Sequence, residues 1–168
     1  MASRRSPVRA RLAPLSSPQA QGDTVPVVEI RRATETDVDL MRRLWEEFNA
    51  EATFTPYPAA PFEPTLVTEH IALVAEDGGE ALGTVYANVS SPHFGFVFGL
   101  YTRSRVRRRG VARALMRSIA AVIREQGRRY VVLSVDTPNE AGRALYERLG
   151  FADAARVLRA DVDGLLEN

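Results

Sequence analysis

After the N-terminal tail, residues 27–48 carry a pattern of apolar and polar positions that predicts one strand and one helix. Residues 27–31, with the sequence VVEIR, are typical of a short strand. Thr34 precedes acidic residues and is suited to act as a helix N-cap. The apolar residues of the following helix recur at helical spacing, so we expect one buried face made of Val38, Met41, Trp45 and Phe48.

The middle of the chain predicts three strands. Residues 71–75 and 82–89 are apolar runs, and the Asp77-Gly78-Gly79-Glu80 sequence between them is a hairpin signal. Residues 94–102 form a third apolar run. Residues 53–64 contain four prolines, which predicts a loop with at most one short helix after it.

The last part of the chain predicts two helices that alternate with strands. Residues 110–126 carry an apolar stripe at helical spacing, and residues 130–135 form a continuous apolar run, as expected for a strand in the centre of a sheet. Asn139 is placed to cap the next helix and Gly150 to end it, and residues 151–162 predict one or two weak closing strands. The alternation predicts an α/β fold in which helices flank a central mixed β-sheet.

Residues 1–26 differ from the rest in composition. They lack apolar periodicity, and they hold a single acid, Asp23, beside Arg4, Arg5, Arg9 and Arg11. We predict a disordered basic tail followed by one folded domain at residues 27–168. A twin-arginine export signal needs an apolar segment that is missing here, and an organelle transit peptide is the other alternative.

Composition excludes several kinds of chemistry. All 22 basic residues are arginine and cysteine is absent, so lysine and cysteine nucleophiles, disulfides and cysteine-bound metals are excluded. The two histidines, His70 and His93, are too few for most metal sites, so we expect no metal. The net charge of +1 and the lack of a membrane-length apolar run argue against nucleic-acid and membrane partners.

The candidate chemistry begins in a basic turn. Leu100, Tyr101 and Thr102 end a predicted strand, and Arg107 to Ala112 then lead into a helix. Gly110 allows close approach to the backbone, and the unpaired first-turn N–H groups and helix dipole favour a phosphate group. A basic loop with a turn glycine is the simpler interpretation of this stretch taken alone.

The residues from Asn139 to Phe151 support the phosphate interpretation. Together with the turn, they resemble the GCN5-related N-acetyltransferases. That family's (Q/R)-x-x-G-x-(G/A) motif matches Arg107, Gly110 and Ala112, and its N-x-x-A-x-x-L-Y-x-x-x-G-F block is close to residues 139–151. Gly142 stands where the block has alanine. The resemblance extends from about residue 27 to about residue 161.

The resemblance implies a site for acetyl-CoA as co-substrate. The strand end would pair with the pantetheine arm, the turn amides would hold the diphosphate, and Asn139 would contact the pantetheine region. Tyr146 would protonate the departing thiolate, with Tyr101 as a less favoured alternative. The implied cofactor-binding residues are Leu100, Tyr101, Thr102, Arg107, Arg108, Arg109, Gly110, Val111, Ala112, Arg113, Asn139 and Tyr146.

The general base and the acceptor pocket are not identified by the sequence. The strand before the turn has no carboxylate where some family members carry glutamate. Candidate bases are Glu46, Glu47, Glu51, His93 or a water chain. Phe54, Tyr57 and Phe62 are candidates for an acceptor pocket or for loop anchors, whereas Phe94, Phe96 and Phe98 share one strand face and fit core packing.

The leading hypothesis is a cytoplasmic N-acetyltransferase that transfers acetyl from acetyl-CoA to a primary amine by direct attack in a ternary complex. The amine acceptor is a small molecule or a peptide. A non-catalytic acyl-CoA sensor or scaffold of the same fold is the alternative, and a nucleic-acid module ranks below both. A homodimer is possible because the resembling family often dimerises.

Overall fold

The computed structural model describes residues 28–52, 59–155, 157–158, 162 and 166. The chain divides into two compact units, residues 1–136 and 137–168. The first unit holds five strands and three helices within its described residues. The strands are β1 (Glu29–Arg32), β2 (Ile71–Asp77), β3 (Glu80–Asn88), β4 (Phe94–Thr102) and β5 (Tyr130–Leu133), and the helices are α1 (Val38–Glu51), α2 (Thr65–Thr68) and α3 (Val111–Glu125).

The strands form one mixed sheet in the order β1-β2-β3-β4-β5. β1 to β4 pair antiparallel, and β5 pairs parallel to β4. The β2–β3 hairpin turns at Gly78 and Gly79, whose φ angles of 57° and 84° explain the choice of glycine in a two-residue turn. The predicted α/β class and the predicted mixed sheet with flanking helices are confirmed.

The core lies on both faces of this sheet. On one face, α3 contacts β1 to β4 through a buried stripe of Val111, Leu115, Met116, Ile119 and Ile123. On the other face, Met41 and Leu44 of α1 pack with Val74 and Tyr86 in a buried cluster. Trp45 and Phe48, predicted to share the buried face of α1, lie partly buried against the same cluster.

Two predictions about strands are wrong. β5 lies at the edge of the described sheet rather than in its centre, and Tyr130 is 56% exposed. Its apolar run reflects partial burial by neighbouring elements, since Val131 to Leu133 are half-buried. The described residues of the predicted closing strands, 151–155 and 157–158, are irregular. The predicted tail, residues 1–26, lies outside the described residues.

Polar contacts fix the start of α1. Thr34 begins a 3₁₀ turn (Glu35–Asp37) that continues into α1, and Asp37 accepts a 2.8 Å hydrogen bond from the Thr34 amide. The Arg31 guanidinium donates to both Asp37 and Glu76, joining β1, the 3₁₀ turn and β2. The Thr34 N-cap predicted from the sequence is confirmed.

The second unit contains α4 (Glu140–Arg148). The Asn139 side chain accepts a 2.9 Å hydrogen bond from the Gly142 amide, which confirms the predicted cap. Gly150, with φ 92°, follows the last turn and ends the helix as predicted. In the described part of both units, no helix has the length and apolar character that spanning a membrane requires.

Candidate active site

Among the described residues, one edge of β4 has no partner strand over the second half of the strand, and we call this the open edge of β4. β5 pairs only with its first half, from Phe94↔Tyr130 to Val97↔Leu133. Residues 98–102 of β4 therefore have no described strand partner on that side, although they pair with β3 on the other. An unpaired edge of this kind offers N–H and C=O groups to an extended ligand.

A β-bulge lies at the beginning of this open edge. Tyr86 faces Phe98 and Thr84 faces Tyr101, so Gly99 and Leu100 together lie opposite the single residue Val85. Gly99 adopts φ 58°, and a Cβ there would come within 2.8 Å of the Tyr86 ring and 3.0 Å of the Trp45 ring. The position therefore requires glycine for both its backbone conformation and its packing.

The turn after β4 leads into α3 through left-handed backbone. Arg108 has φ 62°, and Gly110, the N-cap of α3, has φ 86°. The Arg109 amide donates a long 3.4 Å bond to the Val106 carbonyl. Within the described ranges, the amides of Arg108, Gly110, Val111, Ala112 and Arg113 have no protein acceptor. The turn therefore presents five free N–H donors at a helix N-terminus.

Exposed positive charge surrounds these donors. Arg108, Arg109 and Arg113 are exposed and form no ion pair with a described residue. A Cβ built on Gly110 meets no atom within 4 Å, so the approach to the helix N-terminus is open. Free amides, a helix dipole and unpaired guanidinium groups form a site suited to a phosphate or diphosphate.

Arg107 behaves differently from its neighbours. Its Nε donates 3.1 Å to the Thr102 carbonyl, and its guanidinium pairs with Glu51 at the end of α1. Arg107 is thus turned toward α1, whereas the resemblance implied a role in the diphosphate site. The sequence does not signal this pair because the two residues lie 56 positions apart.

Tyr101 lies between two carboxylates of α1. It is 5% exposed, and its hydroxyl donates 2.8 Å to Glu51 Oε1 and 3.3 Å to Glu47 Oε2. Burial, followed by these carboxylates, raises the pKa of Tyr101. The Tyr101 proton is therefore directed at carboxylates of α1, and the raised pKa makes this hydroxyl a weaker acid. Both effects disfavour Tyr101 as the acid that protonates a leaving group.

The two carboxylates are themselves held by arginine. Arg103 donates two bonds to Glu47, of 2.8 and 2.7 Å, and this guanidinium lowers the pKa of Glu47. Arg107 lowers the pKa of Glu51 in the same way. Both carboxylates are therefore weaker bases than an ordinary glutamate. Of the other candidate bases, Glu46 and His93 are exposed side chains.

In the second unit, Tyr146 packs edge-on against Phe151, with ring centroids 5.7 Å apart. Burial raises the pKa of Tyr146, so its phenol stays protonated at neutral pH.

Gly142 has a local reason to differ from the family's alanine. A Cβ there would come within 2.7 Å of Asn139 Nδ2, in the side chain that caps the helix.

The candidate acceptor aromatics have different environments. Phe62 is buried beneath the Arg42 guanidinium, which lies 5.3 Å from its ring centroid, so it anchors its segment to the core. Phe98 stacks on Tyr86 at 5.6 Å and agrees with the predicted core role. Phe54 and Tyr57 lie outside the described residues.

Across the described part of the chain, no group of three or more acidic or histidine side chains is placed to hold a metal ion.

Residues 38–151 match the sequence model of the Acetyltransferase (GNAT) family. The chain therefore belongs to this family. A mouse (Mus musculus) relative, N-acetyltransferase 8B, is 30% identical over 128 residues, which is 72% of this chain and 54% of the relative. Another mouse relative, Probable N-acetyltransferase family 8 member 5, is 37% identical over 83 residues, or 46% of this chain and 37% of the relative. The chain thus spans between about a third and about half of these curated relatives.

Solved structures share the fold. The ribosomal-protein-alanine N-acetyltransferase of Brucella melitensis biovar Abortus 2308 has a TM-score of 0.67 at 24% identity, covering 80% of this chain and 98% of its own. The aminoglycoside acetyltransferase AAC(6')-Iy, solved with a bisubstrate analogue of CoA, has a TM-score of 0.68 at 20% identity, covering 80% of this chain and 97% of its own.

Proposed function

We propose that this protein is an N-acetyltransferase that transfers the acetyl group of acetyl-CoA to a primary amine by direct attack in a ternary complex. The observation that carries the proposal is the set of free amides at the start of α3, directly after the open edge of β4. A turn of this kind binds an anionic ligand, and because the chain belongs to the GNAT family we propose that this ligand is a CoA thioester.

The described residues fit the two parts of CoA that need recognition. In the proposal, the pantetheine arm is extended and hydrogen-bonds along the open edge at Leu100, Tyr101 and Thr102. The diphosphate lies on the free amides between Arg108 and Arg113, and the exposed guanidinium groups of the turn add charge. Asn139 is assigned to the pantetheine region on the resemblance alone.

The proposed reaction has one covalent step and two proton movements. The neutral amine attacks the thioester carbonyl carbon, the C–N bond forms and the C–S bond breaks. Tyr146 donates its phenolic proton to the departing thiolate, and the proton of the attacking nitrogen returns through water to the Tyr146 phenolate. Holding both reactants in one complex supplies much of the rate. The chain has no cysteine, which agrees with a route that lacks a thiol acyl-enzyme.

The acceptor is proposed only as a primary amine. Structural neighbours include aminoglycoside acetyltransferases and a ribosomal-protein-alanine N-acetyltransferase, and their identities of 20% and 24% show the fold alone. The useful acceptor panel is therefore broad. It contains an aminoglycoside, a polyamine, free amino acids and a short peptide with a free N-terminus.

Calorimetry with acetyl-CoA, followed by a thiol-release assay on the amine panel, tests the proposal. We expect a dissociation constant of about tens of micromolar or tighter, and turnover with at least one amine class. The absence of measurable binding at that concentration would contradict the CoA site. Binding without thiol release on any amine would favour the sensor alternative.

A further inference from the structure

Residues 107–110, which we call the phosphate turn because the proposed diphosphate site begins there, contain backbone strain that requires support. Arg108 is the one non-glycine residue with positive φ among the described residues, and the left-handed conformation costs about 1 kcal/mol for such a residue. Strained residues persist when surrounding contacts over-determine their conformation. In the described structure the side chains of Arg108 and Arg109 form no hydrogen bond or ion pair, so support comes from elsewhere.

Arg107 is the residue that anchors the turn. Its Nε bonds to the carbonyl of Thr102, the last residue of β4, and its terminal nitrogen bonds to Glu51 of α1. The two bonds attach the first residue of the turn to the sheet and to a helix at once. The guanidinium charge of Arg107 is consequently engaged by a carboxylate instead of facing the free amides.

Glu51 is itself held by the sheet. Its Oε1 accepts the 2.8 Å bond from the buried Tyr101 hydroxyl, which leaves Oε2 for Arg107. Tyr101 also donates to Glu47, which Arg103 grips with two bonds. We call these five residues the α1–β4 clamp. They alternate in the order Arg103, Glu47, Tyr101, Glu51 and Arg107.

Glu47 and Glu51 lie four residues apart on one face of α1, where two like charges repel each other. The two arginines, both contributed by the segment at and after the end of β4, neutralise them. The clamp thus joins α1 to the strand and turn on which the proposed CoA site is built.

We propose that Glu51 is a positioning residue of the phosphate turn. It acts through Arg107 to hold residues 107–110 in the conformation that leaves the α3 amides free. This inference rests on the proposed function, because the ligand of those amides is taken to be CoA. It assigns the motif arginine to support of the turn, and the diphosphate to main-chain donors with the neighbouring arginines.

The first test measures CoA affinity by calorimetry for Glu51→Gln, Arg107→Gln, the double variant and the charge swap Glu51→Arg/Arg107→Glu. We expect each single variant to raise Kd about tenfold and the double variant to be no worse than either single variant. The swap should recover only part of the loss, because it restores the ion pair but not the Nε bond to the Thr102 carbonyl. Glu125→Gln, an exposed change at the far end of α3, is the matched control and should leave Kd unchanged.

Two results would overturn the inference. A much larger loss in Arg107→Gln than in Glu51→Gln, with no recovery in the swap, would mean that Arg107 binds the diphosphate itself. Tighter binding by Glu51→Gln would mean that Glu51 competes with CoA for Arg107.

A ligand-free measurement separates the clamp from the proposed function. In Glu51→Gln without CoA, we expect amide hydrogen exchange or amide chemical shifts to change at residues 108–113 and to stay as in wild type in Glu125→Gln. If wild type fails to bind CoA while this change is seen, the proposed function fails and the clamp stands. If the amides of residues 108–113 are unchanged in a folded Glu51→Gln protein, the positioning role of Glu51 is wrong, whatever the CoA result.

Discussion

Replacing Asp37 by asparagine removes a carboxylate that joins β1 to the start of α1. Its two oxygens accept 2.8 Å bonds from the Arg31 guanidinium, and one also accepts the Thr34 amide. The Arg31 bonds, followed by those from Thr34, lower the pKa of Asp37 from 3.8 to about 2. The Asp37 side chain is only 11% exposed, so solvent screens these contacts weakly.

The size of the effect follows from the two pKa values. The difference between 3.8 and about 2 corresponds to about 2 kcal/mol of folding free energy at neutral pH. Because the folded pKa lies below the unfolded one, this stability is complete above about pH 5 and is lost as pH falls through the folded pKa. At about pH 3, roughly half remains.

Urea unfolding, followed by the fluorescence of the single tryptophan Trp45, measures the change in the free energy of unfolding. Asp37→Asn should be less stable than wild type by about 2 kcal/mol near pH 7 and by about 1 kcal/mol near pH 3. Asp39→Asn is the matched control, since its side chain is 88% exposed, and it should change stability by less than about 0.5 kcal/mol. A loss in Asp37→Asn of under about 0.5 kcal/mol, or one that stays constant across this pH range, would show that the ionised Asp37 carboxylate does not stabilise the fold.

Three further predictions concern the bulge, the proposed acid and the α4 cap. Gly99→Ala should destabilise the fold by about 3 kcal/mol, because it combines a positive φ with overlap against two rings, whereas Gly79→Ala has open space and should cost about 1 kcal/mol in the same urea assay. Tyr146→Phe should lower kcat about 100-fold in the thiol-release assay with little change in the KM for acetyl-CoA, and Tyr130→Phe is its exposed control. Asn139→Ala should cost about 1 kcal/mol and speed amide exchange at Gly142, whose N–H loses its acceptor.

Each of these predictions has a clear contrary result. Equal losses for Gly99→Ala and Gly79→Ala would show that ring overlap at the bulge is relieved at no cost. A Tyr146→Phe enzyme with wild-type kcat would remove the phenol from the mechanism. Unchanged amide exchange in Asn139→Ala would show that the cap adds nothing to α4.

The sequence predicted the elements whose evidence is local. The β2–β3 hairpin, the apolar stripe of α3 and the cap at Asn139 each depend on residues within a few positions of one another. Turn chemistry and helical periodicity act over that range, so the pattern alone was enough.

Features that depend on distant residues were not predicted. The edge position of β5 is set by strand order, which the apolar run 130–135 does not encode. The bulge at Gly99 is set by the register shift between β3 and β4 and by rings from two other elements. The sequence identifies Glu51 only as one of several candidate bases, and its partner Arg107 is recognisable only once α1 has packed beside β4.

A titration of ¹⁵N-labelled protein with CoA is the decisive test of the proposed diphosphate site, because it observes the main-chain amides themselves. The largest shifts should occur at Gly110, Val111, Ala112 and Arg113, and the first turn of α1 should stay unchanged. Binding that leaves the chemical shifts of these four amides unchanged, with the changes concentrated on other elements, would contradict the proposed diphosphate site.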